Sequence, residues 1–161
     1  MSMDHTVVTT PLGSVIIAGD QTALAGIWFE GQTHGPDTRH WRRDDQHPLL
    51  RRAGEQVRAY LRGEIFALDL PMQAGLGTPF QRQVWQQVSR IGRGQLRSYA
   101  DIATSLGRPS AARAVGAAVG RNPWLLLVPC HRVVGCGGQL RGYAAGIERK
   151  QALLRMEGAL H

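Results

Sequence analysis

An α+β chain in two parts, a small antiparallel sheet with one helix followed by a helical half carrying a helix-turn-helix, is predicted by three observations. Thr6–Thr10, Ser14–Ala18 and Leu24–Phe29 are short runs rich in β-branched or apolar residues, and turn residues at 11–13 and 19–21 separate them, as in a meander. From Thr78 onward, helix-start signals replace this pattern. Charge divides along the same line: residues 1–80 carry 7 basic and 9 acidic side chains, residues 81–161 carry 12 and 3, within a total of +7. The expected division is therefore 1–77, an α/β scaffold ending in a turn-rich linker at 71–77, and 78–161, a helical domain that holds the excess of positive charge and so faces a polyanion.

In chain order, the apolar pattern lapses between Glu30 and Pro48, and a surface loop is expected there. It carries His34, His40 and His47. Their irregular spacing and the absence of a nearby cysteine favour solvated side chains over a zinc site, so no metal is expected. Leu50, Ala53, Val57 and Leu61 recur at helical spacing, and Gly63 stops the run. Thr78-Pro79-Phe80-Gln81 reads as a capping box with proline at the first helical position; Phe80, Val84, Val88 and Ile91 form the stripe of the helix it opens, and Trp85 is expected in its core. Ser98 then caps a helix over 99–106, Gly107-Arg108-Pro109 breaks it, and Ser110 caps another from Ala111 to about Gly120. This last helix carries small residues, Ala111, Ala112, Ala114 and Gly116, around one long Arg113. Such a face suits either tight internal packing or a helix laid in a groove of nucleic acid. A closing helix, 147–157, should turn Ile147, Leu153 and Leu154 inward.

Length allows one good core or two small ones. No apolar run reaches the roughly 18 residues a membrane span requires, no basic-then-apolar leader is visible, and two cysteines cannot build a disulfide framework. Cytoplasmic residence is the expectation. The positive charge is almost wholly arginine, with Lys150 the only lysine, and the planar guanidinium suits phosphate. A G+C-rich genome would also favour arginine over lysine, although not its segregation into one half.

The stretch most suggestive of chemistry is Asn122-Pro123-Trp124-Leu125-Leu126-Leu127-Val128-Pro129-Cys130-His131-Arg132-Val133-Val134, an apolar run ended by a proline and followed by a thiol, an imidazole and a guanidinium. A thiol attacks as its thiolate, which a neighbouring base or cation promotes. Taken alone, the pair leaves open whether Cys130 is a nucleophile or a small buried hydrophobe.

Pro129-Cys130-His131-Arg132-Val133, with Arg121-Asn122-Pro123 before it and Gly142-Tyr143 after it, closely resembles the active-site segment of the O6-alkylguanine-DNA alkyltransferases, the methylated-DNA–protein-cysteine methyltransferases. The likeness extends through Phe80-Gln81, Val84-Trp85, Ser98-Tyr99, Ala111-Ala112-Arg113-Ala114-Val115-Gly116, Leu153-Leu154 and Met156-Glu157-Gly158, roughly the last half of the chain.

The resemblance implies a ribonuclease H-like first domain and a winged-helix-like second. It implies a protein that, without a cofactor and as a monomer in solution, flips O6-alkylguanine out of double-stranded DNA and moves the alkyl group irreversibly to Cys130, once per molecule. Cooperativity on DNA and action on O4-alkylthymine stay open. Carried over position by position, His131 takes the thiol proton through water, Glu157 orients His131, Asn122 braces the turn, and Tyr99 hydrogen-bonds the base. Tyr99, Val133, Tyr143, Ala144 and Ala145 line the pocket. Arg113 fills the vacated stack on a helix whose DNA face includes Ala111, Ala112, Ala114, Gly116 and the cap Ser98. Three departures stand out: Ala145 where the family usually has glycine, Gly92 where it usually has proline, and no N-terminal cysteines of the kind that hold zinc in some members. A silent branch has tryptophan in place of the cysteine, and Cys130 argues against membership of it. The competing classes are a sequence-specific helix-turn-helix regulator, indifferent to Cys130→Ser, and a Cys-His hydrolase, which would turn over.

Overall fold

The computed structural model describes residues 3–161, an α+β protein whose chain divides into two compact units. One runs to Gly75 and includes Pro123–Leu127; the other comprises Leu76–Asn122 and Val128–His161. The expected boundary near residue 77 thus omits a return: residues 123–127 belong with the first unit.

In the first unit, β1 (Asp4–Thr10), β2 (Gly13–Gly19) and β3 (Leu24–Phe29) form an antiparallel meander. Its first turn is tight, pairing Thr10 with Gly13, and Gly13 takes φ +116°, which a side chain would resist. A fourth strand, β4 (Arg42–Arg43), joins β1 in parallel, giving the order β3-β2-β1-β4. The segment 30–48 is therefore not simply a surface loop. Arg42 clamps the buried Asp4 carboxylate through Nε and Nη2, both at 2.9 Å. His47, expected in solvent, is 2% exposed and caps α1 (Pro48–Leu61), its Nδ1 accepting from the Leu50 N–H at 3.4 Å. Side chains alternate across the sheet. Ile16, Ala18 and Trp28 pack with Met3, Val7 and Trp41, while Gly54 lets α1 approach β1 so closely that a Cβ there would lie 2.9 Å from a Val8 methyl.

Strand β3 would be an open edge. Two extended pieces cover it: Leu24 pairs with Pro71 and Gln73, and the Ile27 backbone pairs with Pro123 (2.8 Å) and Leu125 (3.1 Å). The Trp124 indole N–H donates to the Leu24 carbonyl at 2.8 Å. Part of the turn-rich stretch 71–77 is thus edge cover.

The second unit opens on α2 (Pro79–Ser89), capped reciprocally by Thr78 and Gln81. Val84, Trp85 and Val88 are buried, and the Trp85 indole N–H donates to the Ala118 carbonyl at 2.8 Å. Phe80 is only half-buried, with the Arg108 guanidinium 5.4 Å from its ring centre. Then come β5 (Arg97–Ser98), α3 (Tyr99–Ser105) with a Ser98/Asp101 capping box, and α4 (Ala112–Gly120). Ser110 does not cap α4: Ala111 occupies the cap position without a side-chain bond, because Ser110 lies in the turn closed by the Ala111 N–H to Arg108 carbonyl bond. After a 3₁₀ turn at Cys130–Arg132, β6 (Val133–Val134) pairs in parallel with β5. In α5 (Ile147–Met156), Leu153 and Leu154 are fully buried but Ile147 is 36% exposed, contrary to the expected stripe. Among the described residues, no helix is long and apolar enough to cross a membrane.

Candidate active site

The thiol is set by its own local backbone. Pro129, at φ −79° and ψ 64°, makes an inverse γ-turn in which the Cys130 N–H donates to the Val128 carbonyl at 2.7 Å. The same carbonyl accepts from the Asn122 amide at 2.8 Å, so Asn122 fixes the turn from outside it. Cys130 is 2% exposed. Burial pushes its thiol up to about 11, against the opposing influence of the Asn122 amide, the Lys150 charge and the backbone N–H groups of Cys130 and His131. At neutral pH it is a thiol in need of a base.

The next residue can supply one. His131 is wholly buried, and its Nε2 lies 3.0 Å from both carboxylate oxygens of Glu157. A carboxylate can only accept, so Nε2 carries the proton and Nδ1 is a bare lone pair. That Nδ1 is buried and has no hydrogen-bond partner among the described residues. Burial lowers the pKa of the imidazole, the bond and charge of Glu157 oppose this, and Arg132 and Lys150 add to the lowering. Arg132 is directed at the carboxylate that holds His131. It grips Glu157 through Nε and Nη2 at 2.9 Å each and the Ile91 carbonyl through Nη1 at 2.7 Å.

Around this pair, the β5–β6 pairing sets Ser98 beside Val134, which brings the head of α3 to the strand that follows the thiol. Tyr99 is half-buried, packs over Gly116 and donates its hydroxyl to the Arg141 carbonyl at 2.9 Å. Burial, and secondarily the Cys130 charge, raise its pKa, so it remains a donor. The Tyr143 ring stands edge-on to His131, with centres 6.4 Å apart. Val133 and Ala145 are buried and Ala144 half-buried. Lys150 is fully buried and donates to the carbonyls of Val133, Arg141 (3.0 Å) and Gly142 (3.1 Å), strapping the loop before Tyr143 to β6. Burial pushes its ammonium down to about 8. No group of three His, Cys, Asp or Glu side chains able to hold a metal occurs among the described residues.

Residues 79–159 match the family model described as "6-O-methylguanine DNA methyltransferase, DNA binding domain". The methylated-DNA–protein-cysteine methyltransferase of Mycobacterium bovis is 41% identical over 150 residues, covering 93% of this chain and 89% of the relative. That of Methanosarcina acetivorans is 38% identical over 160 residues, covering 98% and 99%. This chain belongs to the methylated-DNA–protein-cysteine methyltransferase family. A solved family structure, Mycobacterium tuberculosis OGT in complex with DNA, superposes with a TM-score of 0.87 at 39% identity, covering 97% of this chain and 93% of that one.

Within this family member, the structure brings Cys130, His131, Glu157 and Asn122 into one buried cluster, while the residues expected on DNA lie elsewhere in the same unit. Arg113 and Ala114 are exposed on α4; Ala111, Ala112 and Gly116 are half-buried. Ser98 is engaged as the α3 cap, its hydroxyl accepting from the Asp101 N–H at 3.0 Å. Cys136 is exposed on a separate 3₁₀ turn. Sequence reasoning missed Lys150 as a site residue. Its signal was position: it precedes Leu153 and Leu154 by three and four residues, on the inward stripe of a helix.

Proposed function

We propose that this protein repairs DNA by direct reversal, moving the alkyl group of O6-alkylguanine in a duplex onto Cys130. The observation that carries the reading is the unpartnered Nδ1 of His131, held as an acceptor by Glu157 on the residue next to a buried, protonated thiol. His131 takes the thiol proton through a bridging water. The sulfur attacks the alkyl carbon, a C–S bond forms and the C–O bond breaks, and the electron pair goes to the guanine, whose anion is steadied by a hydrogen bond from Tyr99 and takes a proton from water while His131 gives up the thiol proton to water. A thioether is a poor leaving group, so each molecule acts once. DNA is the partner, as it is in the solved complex of Mycobacterium tuberculosis OGT with DNA, and the arginine-rich second half supplies phosphate contacts with little sequence reading.

The base must leave the stack to reach a buried thiol, and Tyr99, Val133, Tyr143, Ala144 and Ala145 form the receiving pocket. The Ala145 methyl, buried where the family usually has glycine, narrows it against bulky adducts. The test is intact mass after incubation with duplex O6-methylguanine: a gain of one methyl, about 14 Da, saturating at one per protein and mapping to Cys130. Repeated turnover, or alkylation of Cys136, rejects the reading.

Exposed Arg113 fills the vacated stack. Arg113→Ala is expected to slow repair in duplex DNA about tenfold or more, while the reaction with the free base O6-methylguanine changes less than about twofold. Equal slowing on both substrates would place Arg113 in the fold or the pocket instead.

A further inference from the structure

The Glu157 carboxylate is shared. Both of its oxygens lie 3.0 Å from His131 Nε2, and each also accepts one Arg132 N–H at 2.9 Å. The Glu157 side chain is fully buried and that of Arg132 is 10% exposed. A third Arg132 N–H, to the Ile91 carbonyl, anchors the guanidinium beyond the end of α2. Two neighbouring residues on one 3₁₀ turn thus converge on the residue that ends α5.

A buried carboxylate beside an imidazole favours imidazolium, and an imidazolium has no lone pair on Nδ1 with which to accept a proton. A base built as His-Glu alone would tend to be spent before substrate arrives. We propose that Arg132 is a positioning residue that holds the His131 base neutral and aimed, by cancelling the Glu157 charge and fixing the plane of its carboxylate. The inference rests on the reading of His131 as the base for Cys130. Its physical content is charge bookkeeping: neutral imidazole, carboxylate and guanidinium sum to zero in a buried site, whereas imidazole and carboxylate alone sum to −1. The fork geometry matters as well, because two parallel N–H groups orient both oxygens and a lysine ammonium would not. Among the described residues, Lys150 from α5, whose charge also disfavours imidazolium, and the Tyr143 ring face His131 as well. Burial is the main cause that holds His131 below its ordinary value, and the Arg132 charge acts in the same direction against the pull of Glu157.

The experiment is a comparison of wild type, Arg132→Gln, Arg132→Lys and the double variant Arg132→Gln/Glu157→Gln, in full-length protein. Two readouts are taken: the His131 titration by NMR without substrate, and single-turnover alkyl transfer from duplex O6-methylguanine between pH 5.5 and 8. The expected result is a His131 titration moved upward in Arg132→Gln, less so in Arg132→Lys, and restored in the double variant, whose site is again uncharged. Transfer by Arg132→Gln should fall about tenfold between pH 8 and pH 6, where wild type changes less than about twofold. An unmoved titration in Arg132→Lys and Arg132→Gln, with transfer lowered equally at all pH values, overturns the inference and leaves His131 as base. If the titration moves as expected but the rate profile stays flat, the inference on Arg132 stands and His131 is not the base. Should Arg132→Gln fail to fold, the lysine and double variants decide: a His131 titration identical to wild type in Arg132→Lys overturns the proposal.

Discussion

Substituting His131 by alanine is expected to slow methyl transfer to Cys130 by about 10²- to 10⁴-fold at pH 7, with duplex binding unchanged within about twofold. Burial holds the Cys130 thiol up to about 11, so at pH 7 only about one molecule in 10⁴ carries a spontaneous thiolate. With His131 present, the proton leaves during attack and this scarcity does not limit the rate. Without it, the reaction draws on the thiolate alone, and the rate should climb about tenfold per pH unit toward the thiol pKa. Wild type, whose imidazole is held below its ordinary value, should be nearly flat from pH 6.5 to 8. Quenched single-turnover assays on His131→Ala would read both the depth of the loss and the slope. A variant within threefold of wild type at pH 7, or one with a flat profile, would mean that another group removes the proton.

Lys150→Met should destabilise the protein by about 1–3 kcal/mol, because the buried Val133 carbonyl loses its donor. The Arg141 carbonyl keeps the Tyr99 hydroxyl and so suffers less. The pH dependence is more telling than the size. Lys150 titrates at about 8 when folded, against 10.5 as the ordinary value, so between those limits the unfolded chain binds more protons and stability rises with pH. Cys130 runs the other way: at about 11 when folded against 9.0, it lowers stability as pH rises from 9 to 11. Wild type should therefore gain stability from pH 8 to 9 relative to Lys150→Met, and the two contributions should largely offset each other from 9 to 10.5. Denaturant melts of wild type, Lys150→Met and Cys130→Ala across this range test the assignment. Parallel curves for wild type and Lys150→Met from pH 8 to 9 would show that Lys150 does not titrate there.

The major elements were legible because they rest on signals that short-range physics writes into sequence. Short β-branched and apolar runs between turn residues placed three strands, and the Thr78/Gln81 box and Ser98 placed two helix starts. The rest depended on partners far away in the chain. Nothing in Arg42-Arg43 reads as a strand; it becomes one because Asp4 offers a carboxylate and β1 a free edge. His47 is an uncommon helix cap, and only the following Pro48 hinted at the start of α1. Ser110 failed as a cap because the turn before α4 had already fixed its backbone. In the site, the thiol–imidazole pair stood out at once, but Glu157 lies 26 residues from His131, a separation no periodicity encodes, and it came into view only through the resemblance. Arg132 was read as a cation for Cys130, whereas its donors go to Glu157 and Ile91, an outcome set by how α5 and the end of α2 meet the 3₁₀ turn.

The return of residues 123–127 to the first unit means that the family-matched half cannot be cut out as one continuous piece without loss. A fragment beginning near residue 78 would carry Trp124 and Leu125 away from the Leu24 and Ile27 carbonyls that accept their N–H groups. It would leave an apolar tongue of five residues, 123–127, separated from Cys130 by the two residues Val128 and Pro129. That tongue is pinched at its root by the bond from Asn122 to the Val128 carbonyl, the same carbonyl that receives the Cys130 N–H. A folding step in the first unit and the seating of the thiol thus share one covalent neck. During synthesis, every residue from Asn122 through Cys130 must therefore have left the ribosome before the turn at Pro129 can close on its brace.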